Sequence, residues 1–297
     1  MKTSFNHIER DNSDITHNHK NTHSSCNCTQ EIITSLNHYI NKHPECTIYQ
    51  NSLMSSLIAG VYDSDVTIAD LLKHGDFGLG TFNHLDGELV AFDSNVFQLR
   101  SDGSAREARP DQGSPFAVMT FFKPDITHQF SAPVSQQQVH NIINQYVPSD
   151  NLFCAIKIEG EFELVKTRTV PRQEPPYVPM LEAIENQPIF TFHDEMGIIA
   201  GFRSPQFIQG LNVAGFHEHY INHQREGGGH VLDYQLKKGT LQIGVISRFT
   251  IDLPHQSTFL EANLMPAGNR TSRKLKVIIP KGHSVFIHSL ANLKKVL

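Results

Sequence analysis

The stretch Gly215–Asp233, GFHEHYINHQREGGGHVLD, sets the reading of the whole chain. Phe216–Tyr220 alternates as a strand does. Strand side chains two apart share a face, so His217 and His219 project together. Gly227, Gly228 and Gly229 permit a tight return, and His230 opens the next strand, where it can supply a third nitrogen. Three neutral imidazoles with a fourth position open describe a catalytic zinc site; four ligands, usually cysteines, close a structural one. Cys154 is the only cysteine in the body of the protein, so a thiolate site is not expected. His223 is a rival ligand, but it sits in the polar run NHQRE and reads as exposed. Two solvent-facing strand histidines give the same H-x-H pattern, so spacing alone stops at a candidate three-histidine metal site.

Working outward, the strand texture continues. His230–Lys237, Gly239–Ile246 and Arg248–Leu253 read as strands downstream, and Ile189–His193 and Ile198–Phe202 upstream. Leu152–Ile158 and Phe162–Val170 alternate around Glu159-Gly160, which reads as a hairpin. Phe116–Phe122 (FAVMTFF) is a continuous apolar strand-like run. Gly78–Leu99 offers short strands punctuated by Asp86-Gly87 and Asp93-Ser94, and Asp102-Gly103 marks a further turn. Helical spacing is confined to short pieces: Ser52–Gly60, Thr67–His74, Met180–Asn186, and Ser135–Tyr146 with Val139, Ile142, Ile143 and Tyr146 inward. The sum is a mixed, sheet-rich α+β fold of two packed β-sheets with short helices.

Composition narrows the function classes. With 25 Lys+Arg against 30 Asp+Glu, the 297-residue chain carries a formal charge of −5, which repels nucleic acid and anionic membrane alike. No apolar run approaches the ~18 residues of a membrane span, and Met1–Cys28 lacks the apolar core of a secretory signal, so a cytoplasmic protein is expected. Four segments follow from the texture. Residues 1–45 are an Asn/His/Ser/Thr-rich extension read as disordered, with one helical spacing over Glu31–Asn41. Residues 46–175 form an α+β part, 176–264 a β-rich part holding the three histidines, and 265–297 a basic tail.

The sequence resembles the α-acetolactate decarboxylase family. The resemblance runs from about Ile48 to Leu264 and rests on HGDFGLGTFNHLDGELVAFD (74–93), the Phe116–Phe122 run, TRTVPRQEPPY (167–177), GIIAGFRSP (197–205), GFHEHY and GGHVLD. It implies a Zn²⁺ cofactor on His217, His219 and His230. Glu88 of the LDGEL segment is implied to lie by the metal and carry protons, Arg168 to hold the substrate carboxylate, and Thr81 of GLGTFN to line the pocket. By their residue type alone, Glu88 and Arg168 would pass for solvated surface groups, and Arg172 is indistinguishable from Arg168. The implied activity is conversion of 2-acetolactate to (R)-acetoin and CO₂ in acetoin and butanediol biosynthesis, with a small-molecule partner, no nucleic acid, no membrane, and a homodimer as an admissible assembly. A three-histidine zinc hydrolase and a non-catalytic relative remain open alternatives. The last is motivated by the tail: the family carries a further glutamate near its C-terminus, whereas here Glu261 is the last carboxylate and 265–297 has none.

Overall fold

The computed structural model describes residues 46–264 and Thr34. The readings placed on 1–45 and 265–297 otherwise lie outside the described residues. The chain runs β1 (Thr47–Asn51), α1 (Met54–Ile58), α2 (Ile68–Leu71), β2 (Phe77–Thr81), β3 (Glu88–Phe92), β4 (Asn95–Leu99), β5 (Ala105–Glu107), β6 (Phe116–Thr120) and β7 (Ile126–Phe130). It continues through β8 (Val134–Ser135), α3 (Gln136–Tyr146), β9 (Phe153–Arg168), α4 (Met180–Ala183), β10 (Ile189–Ser204), β11 (Gly215–Asn222), β12 (Gly228–Ile246), β13 (Arg248–Asp252) and α5 (Ser257–Glu261).

Two sheets result, as the sequence predicts. The first is seven-stranded, in the order β13-β1-β6-β2-β3-β4-β5, with β1 and β13 parallel and the other pairs antiparallel. The second is antiparallel, in the order β11-β10-β9-β12-β7, and β11 also pairs with β12. That extra pairing closes a ring β11-β10-β9-β12. Sheet membership crosses residue 175 in both directions: β7–β9 belong to the second sheet and β13 to the first.

The strand period of two sorts side chains into three apolar layers. Leu79, Val90, Phe92, Phe116 and Val118 from the first sheet meet Phe153, Ala155, Ala200, Phe202 and Ile221 from the second. The outer face of the first sheet, through Leu89, Ala91 and Met119, packs under α2. The outer face of the second, through Ile156, Ile158, Tyr220 and Ile243, packs on Val139 and Ile143 of α3. Each fully buried Val, Leu, Ile, Phe or Met side chain in these layers contributes roughly 1.5–3 kcal/mol against leaving it exposed.

Two of the helices, α2 and α3, carry capping boxes, which Thr67 and Ser135 close with Asp70 and Gln138. At the far end of α3, the buried Arg203 of β10 donates to the carbonyls of Val147 and Ser149 and to Asn144 Oδ1, satisfying acceptors left free at the helix end. Tyr146 departs from expectation. It is 38% exposed, its hydroxyl within 2.9 Å of His128 Nδ1 on β7, because Val147 rather than Tyr146 fills the place beneath the helix end.

The other corrections concern strand length. The predicted hairpin at Glu159-Gly160 is absent: β9 is one continuous strand of 16 residues. Likewise β10 spans both segments read at Ile189–His193 and Ile198–Phe202, and β12 both segments read at His230–Lys237 and Gly239–Ile246. Gly160 pairs with Gly197 on one side and Gly239 on the other, so the glycine read as a turn is the centre of a three-glycine row across the sheet. A Cβ on Gly160 would stand 2.3 Å from the Lys238 carbonyl oxygen. Gly160 and Gly239 serve close backbone approach, and Gly197 leaves room for the Tyr220 ring, so none of the three makes a reversal. True reversals occur where Asp93 and Ser94 adopt positive φ (52° and 63°), the mirror-image geometry that matches strand twist. No helix among the described residues is long and apolar enough to cross a membrane.

Candidate functional site

Ring closure in the second sheet assembles the site. In the β11–β12 ladder His219 stands opposite His230, and in the β12–β9 ladder His230 stands opposite Arg168. Paired residues share a face, so His219, His230 and Arg168 form one row across three strands, with His217 two residues along β11. Arg168 reaches that face because the burial alternation of β9 slips by one residue. Ile156, Ile158 and Phe162 point away from the first sheet, then Val165 does, which turns Arg168 toward it. The slip accompanies irregularities in the β9–β12 register between Val231 and Lys238.

The three imidazole rings lie 5.0–5.4 Å apart between centroids, and one nitrogen from each falls within 4.8 Å of the others. His219 tests whether they suit a metal. Its Nδ1 lies 2.7 Å from the Leu89 carbonyl oxygen, which fixes the proton on that nitrogen. Its Nε2 is left buried with no partner, a lone pair facing the other two rings. Burial holds His219 down to about 4, and burial, then the neighbouring imidazoles and Arg168, holds His217 and His230 well below the usual histidine range. Neutral imidazoles with a free nitrogen are what a metal ion needs.

The first sheet supplies the remaining groups through the β2–β3 hairpin. Thr81 and Glu88 are register partners at its closed end. Thr81 Oγ1 donates to the Gly87 carbonyl at 2.6 Å, tying the turn that presents Glu88. Glu88 shares the parity of Val90 and Phe92 and so faces the second sheet, its Oε2 3.6 Å from His219 Nε2. Burial pushes its carboxyl up to about 7, and the Arg168 charge partly offsets that rise. Thr81, Glu88, Arg168, His217 and His230 line one cavity of about 90 Å³, walled by Leu57, Leu85, Phe116, Met180 and Val213. This is room for a small molecule. A larger groove of about 730 Å³ lies along β1 and β13 among Asp65, Asp70 and Asp252, and none of the sequence-predicted site residues reaches it.

Other candidates separate cleanly. Arg172 turns outward to Glu174 and Asp86, so the structure distinguishes it from Arg168. His223 is exposed and outside the imidazole cluster. Glu261 is exposed on α5 and does not line the cavity. Two residues escaped the sequence reading. Glu218 lies between the paired histidines on the opposite face of β11, where its buried carboxylate meets His140 Nε2 at 3.1 Å and accepts from Gln136, pinning that strand to α3. Gln187 accepts from Arg168 Nη1. Strand parity put Glu218 away from the site, and its isolation among apolar residues was the available signal; Gln187 carried none.

Sheet pairing, imidazole cluster and cavity define the class: a two-sheet protein whose three-histidine centre can hold a metal ion beside a cation suited to a small anionic ligand. The alpha-acetolactate decarboxylase family model matches residues 48–266, and the chain belongs to that family, whose members are carboxy-lyases. An alpha-acetolactate decarboxylase of Klebsiella aerogenes is 57% identical over 244 residues, covering 82% of this chain and 94% of the relative. The crystal structure of alpha-acetolactate decarboxylase from Bacillus subtilis strain 168 superposes with a TM-score of 0.73 at 47% identity, covering 74% of this chain and 94% of that one. A Staphylococcus aureus protein of unknown function, similar to alpha-acetolactate decarboxylase, gives a TM-score of 0.71 at 32% identity over 73% of this chain and 94% of that one.

Proposed function

We propose that this chain is a zinc-dependent decarboxylase converting 2-acetolactate to (R)-acetoin and CO₂ in acetoin and butanediol biosynthesis. The observation that carries the reading is the row His219–His230–Arg168, which sets metal-ready nitrogens and an anion-binding fork side by side on one face. His217, His219 and His230 would hold the ion, and borderline-soft zinc suits an all-imidazole set. When bound, zinc supplies Lewis acidity toward the electron pair that departing CO₂ leaves behind.

The chain's own residues account for the rest. Arg168 holds the carboxylate through its planar fork and so fixes which C–C bond breaks. Cleavage leaves the bonding pair on the former substrate, and the reaction closes only when one proton is delivered to carbon. Substrate anion plus one proton gives acetoin plus CO₂. Glu88, whose proton affinity burial raises toward neutrality, can take and return a proton there. Delivering that proton from one fixed side sets the configuration of acetoin. Thr81 keeps the Glu88 turn in place, and the apolar walls exclude water from the carbanionic stage.

The test is stoichiometric. Purified protein given acetolactate should release acetoin and CO₂ in a 1:1 ratio, lose that activity to a chelator and regain it with zinc. Product without CO₂ would point to the hydrolase alternative. Substrate binding without product would point to the non-catalytic one.

A further inference from the structure

We propose that Gln187 is a positioning residue for the reaction: its neutral side-chain carbonyl holds the Arg168 guanidinium in one orientation without cancelling its charge. The inference rests on the reading of Arg168 as the carboxylate-binding group. An arginine side chain is long, and ordering it costs roughly 2 kcal/mol of rotamer entropy unless something fixes it beforehand. Among the described residues no carboxylate forms an ion pair with Arg168, and the side chain that hydrogen-bonds its guanidinium is Gln187, from Nη1 to Oε1.

Gln187 is itself held by the backbone. It ends the link between α4 and β10, where the Thr169 N–H donates to the Pro188 carbonyl and Ile189 pairs with Arg168 in register. Anchor and anchored group therefore sit on adjacent, hydrogen-bonded backbone.

The other half of the amide makes the case for a specific role. Gln187 Nε2 is buried and has no partner. As packing alone, the side chain is poorly chosen, because an unsatisfied buried donor is unfavourable where an apolar isostere would leave none. A glutamate would remove the orphan donor and bind Arg168 more strongly. It would also neutralise the charge that the substrate carboxylate must find. A leucine would remove both polar ends and release the fork. Only a neutral acceptor orients the guanidinium and leaves its charge uncompensated, with Nε and Nη2 free for a second, bidentate partner.

The experiment uses zinc-loaded full-length enzyme and four variants: Gln187→Leu, Gln187→Glu, Arg168→Lys and the double variant Gln187→Leu/Arg168→Lys. Gln187→Leu should raise KM for acetolactate about tenfold, the scale of one charge-assisted hydrogen bond, with a smaller change in kcat. Its zinc content and Tm should not fall, since the orphan donor has gone. Gln187→Glu should raise KM further. In the double variant the Leu substitution should add little to Arg168→Lys, because the glutamine acts through that fork. Unchanged KM in both Gln187 variants, while Arg168→Lys raises it, overturns the inference and leaves the function standing. So do fully additive effects. If Arg168→Lys changes neither KM nor kcat, the reading of Arg168 fails, and the role of Gln187 with it.

Discussion

The two sheets contribute unequally to the cavity between them. The second gives two imidazoles and a guanidinium to its lining, with the third imidazole, His219, buried beside them, all from strands tied into a closed ring. The first gives one carboxyl and one hydroxyl, from the end of a five-residue-stranded hairpin. The groups proposed to hold an ion and an anion in fixed geometry thus stand on strands paired on both edges. The group assigned to moving protons stands beside a turn, at Gly87 with φ 78°. Binding needs several donors converging at once, which cross-strand rows supply. Proton transfer needs one group with the right affinity, which burial of a single side chain supplies.

The comparison predicts graded damage, worst in the ring. His219→Ala removes a proposed ligand together with the imidazole N–H that bonds the Leu89 carbonyl. Bound zinc and activity should fall together to background. Zinc at a hundredfold above its Kd should raise the Tm of the natural protein by about 5–10 °C, from ~2.7 kcal/mol of linkage, and should leave the Tm of His219→Ala unmoved. Retention of stoichiometric zinc by that variant, by metal analysis, would remove it from the ligand set.

Glu88→Gln should break the other half selectively. Turnover drops by ~10²-fold or more with zinc content near normal, the scale of a lost general acid or base. A variant that turns over at the natural rate would show that protons travel elsewhere. Arg168→Lys keeps the charge and loses the fork, so KM should rise about tenfold while zinc stays bound, read by steady-state kinetics. Thr81→Val should do least, removing one hydrogen bond to Gly87 and lowering stability by about 1 kcal/mol in denaturant titration, with kcat reduced less than in Glu88→Gln. His223→Ala, in the exposed turn outside the cluster, is the neutral control for both zinc and rate.

Much of this was legible in the residues. Alternation through GFHEHY placed His217 and His219 on one face, and three glycines before His230 announced the return that brings it opposite. Asp93-Ser94 was read as a turn and is one. Gly160 is misread as a turn because a glycine in a strand carries no mark of whether it allows a reversal or a close neighbour. That depends on what lies across the ladder, here the Lys238 carbonyl at the place a Cβ would occupy.

The sequence by itself determined the sheet-rich class, the candidate donor set of three imidazoles, and the short helices, since each depends on chain-local periodicity and residue type. Tertiary structure decided the rest. It fused six predicted strand segments into three, slipped the alternation of β9 so that Arg168 faces the cavity rather than the α3 layer, and separated Arg168 from Arg172. It also set Gln187 against the guanidinium and buried Glu88 until its proton affinity neared neutrality. Each of those outcomes is fixed by which strand pairs with which, and at what register. Pairing energy is summed over residues far apart in the chain, so no local stretch contains it.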